Sequence, residues 1–206
     1  HFAMGTIHHT DGRPWELCTR SILRQALQRL EDVSGLHLRG AFEHEFQFRD
    51  RPARPQDAFA LAGMREDRAF AEAVVAAQRA AGVAPDTFLR EYGPGQFEVT
   101  MAPEAGLTIA DHAVFIREIT RAVARQMGRE VTFSPIRSPS AVGNGVHIHI
   151  GLTRPDGTPA TWDAAGRHEL SRPAASFVAG VLKYLPAILA LTAASRVSYL
   201  RLTPHR

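Results

Sequence analysis

Three stretches of this chain alternate strictly between polar and apolar residues, and what stands at the polar positions limits the folds available. In "GAFEHEFQF" (residues 40–48), Phe42, His44, Phe46 and Phe48 share one side of an extended strand, while Ala41, Glu43, Glu45 and Gln47 share the other. In "GQFEVTM" (95–101), Phe97, Val99 and Met101 oppose Gln96, Glu98 and Thr100. In "GVHIHIGL" (145–152), Val146, Ile148, Ile150 and Leu152 oppose His147, His149 and Gly151. Strands buried on both faces of a parallel sheet lack this alternation. The expected fold class is therefore α+β, a largely antiparallel sheet with helices on one face and an open face holding the polar positions.

The helices come from segments with apolar residues at helical spacing: 16–35, 65–82, 108–128 and most of 169–194, the last kinked or split by Pro186. The alternating strands are expected over 37–48, 96–101 and 145–152, "VTFSP" (131–135) is a further short strand, and loops rich in Pro, Gly and Arg fall at 49–57, 92–95, 134–145 and 154–160. With 206 residues, 45% of them hydrophobic, the chain suffices for one ordinary domain or two small ones. A net charge of +3 comes from 24 basic and 21 acidic residues, without a basic tract fit for a phosphate backbone, so no nucleic-acid partner is expected. The single cysteine, Cys18, cannot form an intrachain disulfide, which suits a reducing, cytoplasmic location; it reads as a buried, inert thiol. The opening residues lack the apolar segment of a signal peptide. The apolar run 177–195 is interrupted by Lys183 and Pro186 and reads as a buried core helix, with no membrane partner.

The chemistry lies on the polar faces. Paired glutamates on an alternating strand commonly form only its solvated side, His147 and His149 alone fit a surface pair or half of a zinc site, and Glu91, seven residues before Glu98, alone is a loop carboxylate. Together they say more, because several carboxylates on one sheet face repel unless cations sit among them. A donor set rich in oxygen with one imidazole suits Mg²⁺ or Mn²⁺ better than zinc. His44, on the apolar side, reads as a hydrogen-bonded core histidine.

The motifs "GAFEHEFQF", "EYGPGQFE", "GNGVHIHIGL" and "LSRPAASFVAGVLKYLPAILALTAASRVSYLRL", in this order from about residue 13 to the end, resemble the catalytic domain of the glutamine synthetase family. The resemblance implies that Glu45, Glu91 and Glu98 hold a metal near the substrate carboxylate. It implies that Glu43 and His147 hold a second one nearer the nucleotide phosphates. It further implies that His149 contacts ATP phosphates, that Gly143 begins the loop approaching the amino-acid substrate, and that Arg201 grips the substrate carboxylate. Glu98 and Arg201 would be the catalytic pair. The implied reaction is ATP-dependent ligation, with Mg²⁺ or Mn²⁺, of glutamate to ammonia or another amine through a γ-glutamyl phosphate. Family members work as large homo-oligomeric rings. The resemblance covers only part of the family's length, omitting an N-terminal β-grasp domain and the last part of the catalytic domain.

Three positions depart from the family pattern. Val142 stands where glutamine-forming members carry an asparagine that contacts the substrate amino group, Gly151 replaces a serine, and Val197 replaces the asparagine of Asn-Ser-Tyr. These changes resemble branches that join glutamate to amines other than ammonia, and they leave the amine open. A non-catalytic structural or regulatory relative is the alternative. A metal-dependent hydrolase lacks an evident nucleophile.

Overall fold

A computed structural model describes residues 3–50 and 58–202, so most of the loop expected at 49–57 lies outside the described residues. Helix α1 spans Thr19–Ser34, strand β1 His37–Phe48, α2 Leu61–Glu66, α3 Arg68–Ala80 and β2 Pro85–Arg90. Then follow β3 (Gln96–Met101), β4 (Glu104–Ala105), α4 (Leu107–Gln126), β5 (Val131–Thr132) and β6 (Val146–Thr153). A short 3-10 turn at Arg167–Glu169 precedes α5 (Arg172–Thr192) and α6 (Arg196–Arg201). The α+β expectation stands: the strands form one six-stranded sheet ordered β2-β3-β1-β4, with β5 and β6 also paired to β1. β3, β4 and β5 run antiparallel to β1.

By contact the chain divides into two compact units, one of residues 1–40, 103–111 and 149–184, the other of 41–102, 112–148 and 185–206. The second contains a core of phenylalanines. Phe46, Phe48 and Phe97 from β1 and β3 are fully buried with Phe70 and Val74 of α3 and Ile116 of α4. Phe46 and Phe97 stack with ring centroids 5.8 Å apart. The helices thus cover the face on which the alternation placed the aromatic residues. In the first unit a smaller core joins Leu36, Leu152, Ala160 and Ala174, with Leu30 packed against them. α1 ends where expected, at Gly35, whose φ of 66° makes a left-handed cap in which its N–H donates to the Glu31 carbonyl.

Three expectations need correction. α5 is not split by Pro186 but runs on through it; on an exposed helix the carbonyl that the proline leaves without a donor is open to water. Nor is α5 a buried core helix: only 6% of its most apolar 18-residue window is buried, and Leu182 and Leu191 are 65% and 84% exposed. It is long and apolar enough, with mean hydropathy 1.8, to meet the length and composition of a membrane span. The apolar side of β6 is likewise covered only at Leu152, since Val146, Ile148 and Ile150 are all exposed.

His44 is buried among the core residues and stacks on Phe42. It lacks the expected well-formed hydrogen bond at either ring nitrogen. Burial, reinforced by the Arg117 charge and only weakly opposed by the Ala113 backbone, lowers it to about 4, so the ring is neutral.

Candidate active site

Register brings the polar residues of the second unit together. Antiparallel pairing sets Glu45 opposite Glu98, Glu43 opposite Thr100 and Gln47 opposite Gln96, all on the face away from the phenylalanine core. This face is not a solvated one, because Gln47, Gln96, Glu98 and Thr100 are all buried. His147 of β6 reaches over it and bonds through Nδ1 to Glu43 Oε2 at 2.9 Å. Glu43, Glu98 and His147 each offer a ligand atom, and these atoms lie within 4.8 Å of one another.

Glu91 follows the end of β2, which is pinned in place by its neighbour. The Arg90 guanidinium is fully buried, lies over the Phe97 ring and approaches the Asp67 carboxylate at 4.0 Å. Glu91 is raised above the usual carboxylate range, first by burial and then by Glu45. Glu98 is raised further, to about 7: burial contributes most, then repulsion from Glu43, Glu91 and Glu45, while His147 pulls the other way. Four carboxylates thus crowd one half-buried patch. That electrostatic conflict, with an imidazole among them, is what a divalent cation relieves, and hard oxygen donors suit Mg²⁺ or Mn²⁺. The donor set fits such ions.

Beside the carboxylates, the loop 142–145 meets Arg201 of α6. A Cβ at Gly143 would lie 2.8 Å from Arg201 Cγ and 2.9 Å from the Pro135 carbonyl oxygen. One at Gly145 would lie 2.7 Å from Glu45 Oε1 and 2.9 Å from an Arg201 guanidinium nitrogen. These glycines therefore make room for the protein's own carboxylate and arginine. Val142, exposed, borders a cavity of about 440 Å³ with Gln47, Pro94, Arg137, Ser138, Ser140 and Ala141.

Of the expected site residues, the structure gathers Glu43, Glu45, Glu91, Glu98 and His147 electrostatically, and sets Gly143 and Arg201 against Glu45 through the loop. His149 lies two residues beyond His147 on β6, exposed, within the first unit, and outside the group of ligand atoms found among the described residues. Sequence reasoning missed three buried amides. Gln47 holds the Val142 carbonyl at 3.1 Å. Gln96 bonds Glu45 at 3.0 Å, and Asn144 bonds the Ser134 carbonyl at 2.8 Å. The signal was present, since Gln47 and Gln96 share the glutamates' face, but polar residues there read equally well as solvated.

Known proteins resemble this chain in sequence and fold. The catalytic-domain model of glutamine synthetase matches residues 16–206. A γ-glutamylpolyamine synthetase of Streptomyces coelicolor is 37% identical over 95% of this chain and 44% of its own length. A glutamate–methylamine ligase of Methyloversatilis universalis is 29% identical over 96% of this chain and 47% of its own. A crystal structure described as a novel glutamine synthase homolog superposes with a TM-score of 0.91 at 46% identity, over 98% of this chain and 47% of that one. The chain thus spans about half the length of the relatives it matches. Fold, motif order and a family match over nearly the whole chain agree: it belongs to the glutamine synthetase family, within the catalytic domain.

Proposed function

We propose that the whole protein is an ATP-dependent carboxylate–amine ligase that joins the side-chain carboxylate of glutamate to an amine through a γ-glutamyl phosphate. The observation that carries this reading is the convergence of Glu43, Glu98 and His147 within 4.8 Å, with Glu45 and Glu91 raising the negative field around them. Glu45, Glu91 and Glu98 would hold one divalent ion, and Glu43 and His147 a second. Bound Mg²⁺ or Mn²⁺ supplies the positive charge that lets a carboxylate approach a triphosphate and stabilises the oxygens of phosphoryl transfer.

The chain's own residues do the positioning. Arg201, with a planar fork of donors, suits a carboxylate clamp, and Gly143 sets the loop against it. His149 is assigned to the ATP phosphates. The names of two relatives, a polyamine synthetase and a methylamine ligase, support an amine other than ammonia, while glutamine synthetases at 28–31% identity keep ammonia as the other reading. The full-length protein is read as a homo-oligomeric ring, and use of ATP fits a cytoplasmic location.

The test is phosphate release by full-length protein with ATP, Mg²⁺ and a panel of amines, with products identified by mass. Release that requires both glutamate and one amine is expected, and Glu98→Ala should abolish it with the fold intact. Release indifferent to glutamate would overturn the reading. Failure to bind divalent ions at all would favour the non-catalytic alternative.

A further inference from the structure

We propose that Gln96, assisted by Asn144, is a positioning residue that locks the candidate metal ligand Glu45 to the loop carrying Gly143, so that metal binding and acid-substrate binding depend on one buried amide. This rests on the functional reading above, in which Glu45 holds a metal ion and Gly143 with Arg201 forms the carboxylate clamp.

Gln96 is wholly buried and directly opposite Gln47 in the β1–β3 pair. Its Oε1 accepts the Gly93 N–H at 2.7 Å. That bond fixes which way the amide faces, so Nε2 must point toward the site. Nε2 then lies 3.0 Å from Glu45 Oε2, 2.8 Å from the Gly143 carbonyl oxygen and 2.9 Å from Asn144 Oδ1. An amide nitrogen has two hydrogens, so three acceptors share two donors and the position of each constrains the others.

Asn144, itself buried, ties the far side: Nδ2 donates to the Ser134 carbonyl and the backbone N–H to the Pro135 carbonyl, each at 2.8 Å. The Glu45 backbone N–H in turn donates to the Gly145 carbonyl at 3.1 Å. Carboxylate and loop are therefore joined at side-chain and main-chain level, with Gln96 as the group common to both. An apolar residue would fill the same volume without the cost of burying an amide. The bonded geometry, and not the bulk, is what glutamine adds here.

The test compares Gln96→Ala, Gln96→Glu and Asn144→Ala in the full-length protein, reading Mn²⁺ affinity by calorimetry and the KM for glutamate against kcat. Loss of an outer partner of a metal ligand typically weakens metal binding on the order of 10–100-fold. Gln96→Ala and Gln96→Glu should show that loss together with a raised KM for glutamate. Gln96→Glu, which sets a carboxylate against Glu45, should be the worse. Asn144→Ala leaves the Gln96–Glu45 bond in place, so it should raise the KM while Mn²⁺ affinity stays within about twofold of wild type. Equal Mn²⁺ affinity and KM in wild type and both Gln96 variants would overturn the proposal. So would an Asn144→Ala variant that loses metal as fully as Gln96→Ala. Should Gln96→Ala not fold, Gln96→Glu and Asn144→Ala carry the comparison. Wild-type protein that binds Mn²⁺ but turns over no glutamate would defeat the ligase reading, and the Mn²⁺ measurements alone would then decide the positioning role.

Discussion

Glu98 concentrates the tension of the site in one side chain. It is 8% exposed, faces Glu45 across the strand pair, and its carboxyl is pushed up to about 7. A carboxyl held above its ordinary value keeps its proton in the folded state at a pH where the unfolded chain has released it. The folded state then binds more protons between the ordinary carboxylate range and about 7, and stability falls as pH rises through that window. Metal-free protein should therefore lose melting temperature from this group between pH 5 and 8, and Glu98→Gln should flatten the decline. Added Mn²⁺ should stabilise wild type more at pH 8 than at pH 5. His44 works in the opposite direction: held near 4, it resists protonation, and its contribution is lost as pH falls from the ordinary histidine range toward 4. The difference between wild type and Glu98→Gln, measured calorimetrically across pH, isolates Glu98 from that opposing slope. A wild-type melting temperature as insensitive to pH as the variant's would contradict the account.

At the scale of elements, the close approach of β1 and β6 invites a sharper test. A Cβ at Gly40 would overlap the His149 carbonyl oxygen, a backbone atom that cannot swing aside, so Gly40→Ala must push the two strands apart. Overpacking of that kind costs about 1–3 kcal/mol. Gly151 on β6 is the control, because its Cβ would meet Thr161 Oγ1 at 3.7 Å, an ordinary contact. Gly151→Ala should change stability by less than about 0.5 kcal/mol in urea unfolding, and equal effects of the two changes would show that the strand contact is not tight.

β1 and β3 were legible in the sequence to the residue, because period-two alternation there separates an apolar face on the phenylalanine core from a polar face that carries the glutamates. β2 was not, because "PDTFLR" starts on a proline and sets Phe88 and Leu89 side by side, which breaks the alternation. The six-residue α6 is too short to display a period. The glutamates and His147 were legible as chemistry, since charge on an otherwise buried pattern demands a reason. Gln47, Gln96 and Asn144 were not, because a neutral amide looks the same in sequence whether it meets water or a loop carbonyl.

For the whole molecule the governing fact is an apolar surface that none of the described residues covers. α5 carries Val178, Val181, Leu182, Leu185 and Leu191 at 37% exposure or more, and Tyr199, Leu200 and Leu202 extend the exposure into and just beyond α6. Composition showed that α5 is apolar but could not show what it packs against, which is why a core helix was expected and an exposed one is found. Apolar surface left in contact with water favours association roughly in proportion to its area, about 25 cal/mol per Å². The 206-residue chain should therefore self-associate as its concentration rises, seen as a growing sedimentation coefficient. Leu182→Glu combined with Leu191→Glu should reverse that growth, because each places a charge at one of the most exposed apolar positions of the helix. Mn²⁺ affinity should be unchanged in the double variant, since both substitutions lie outside the carboxylate cluster. A chain that sediments as a monomer at every concentration but floats with lipid vesicles would instead mean that α5 seeks a bilayer, as its length and hydropathy allow.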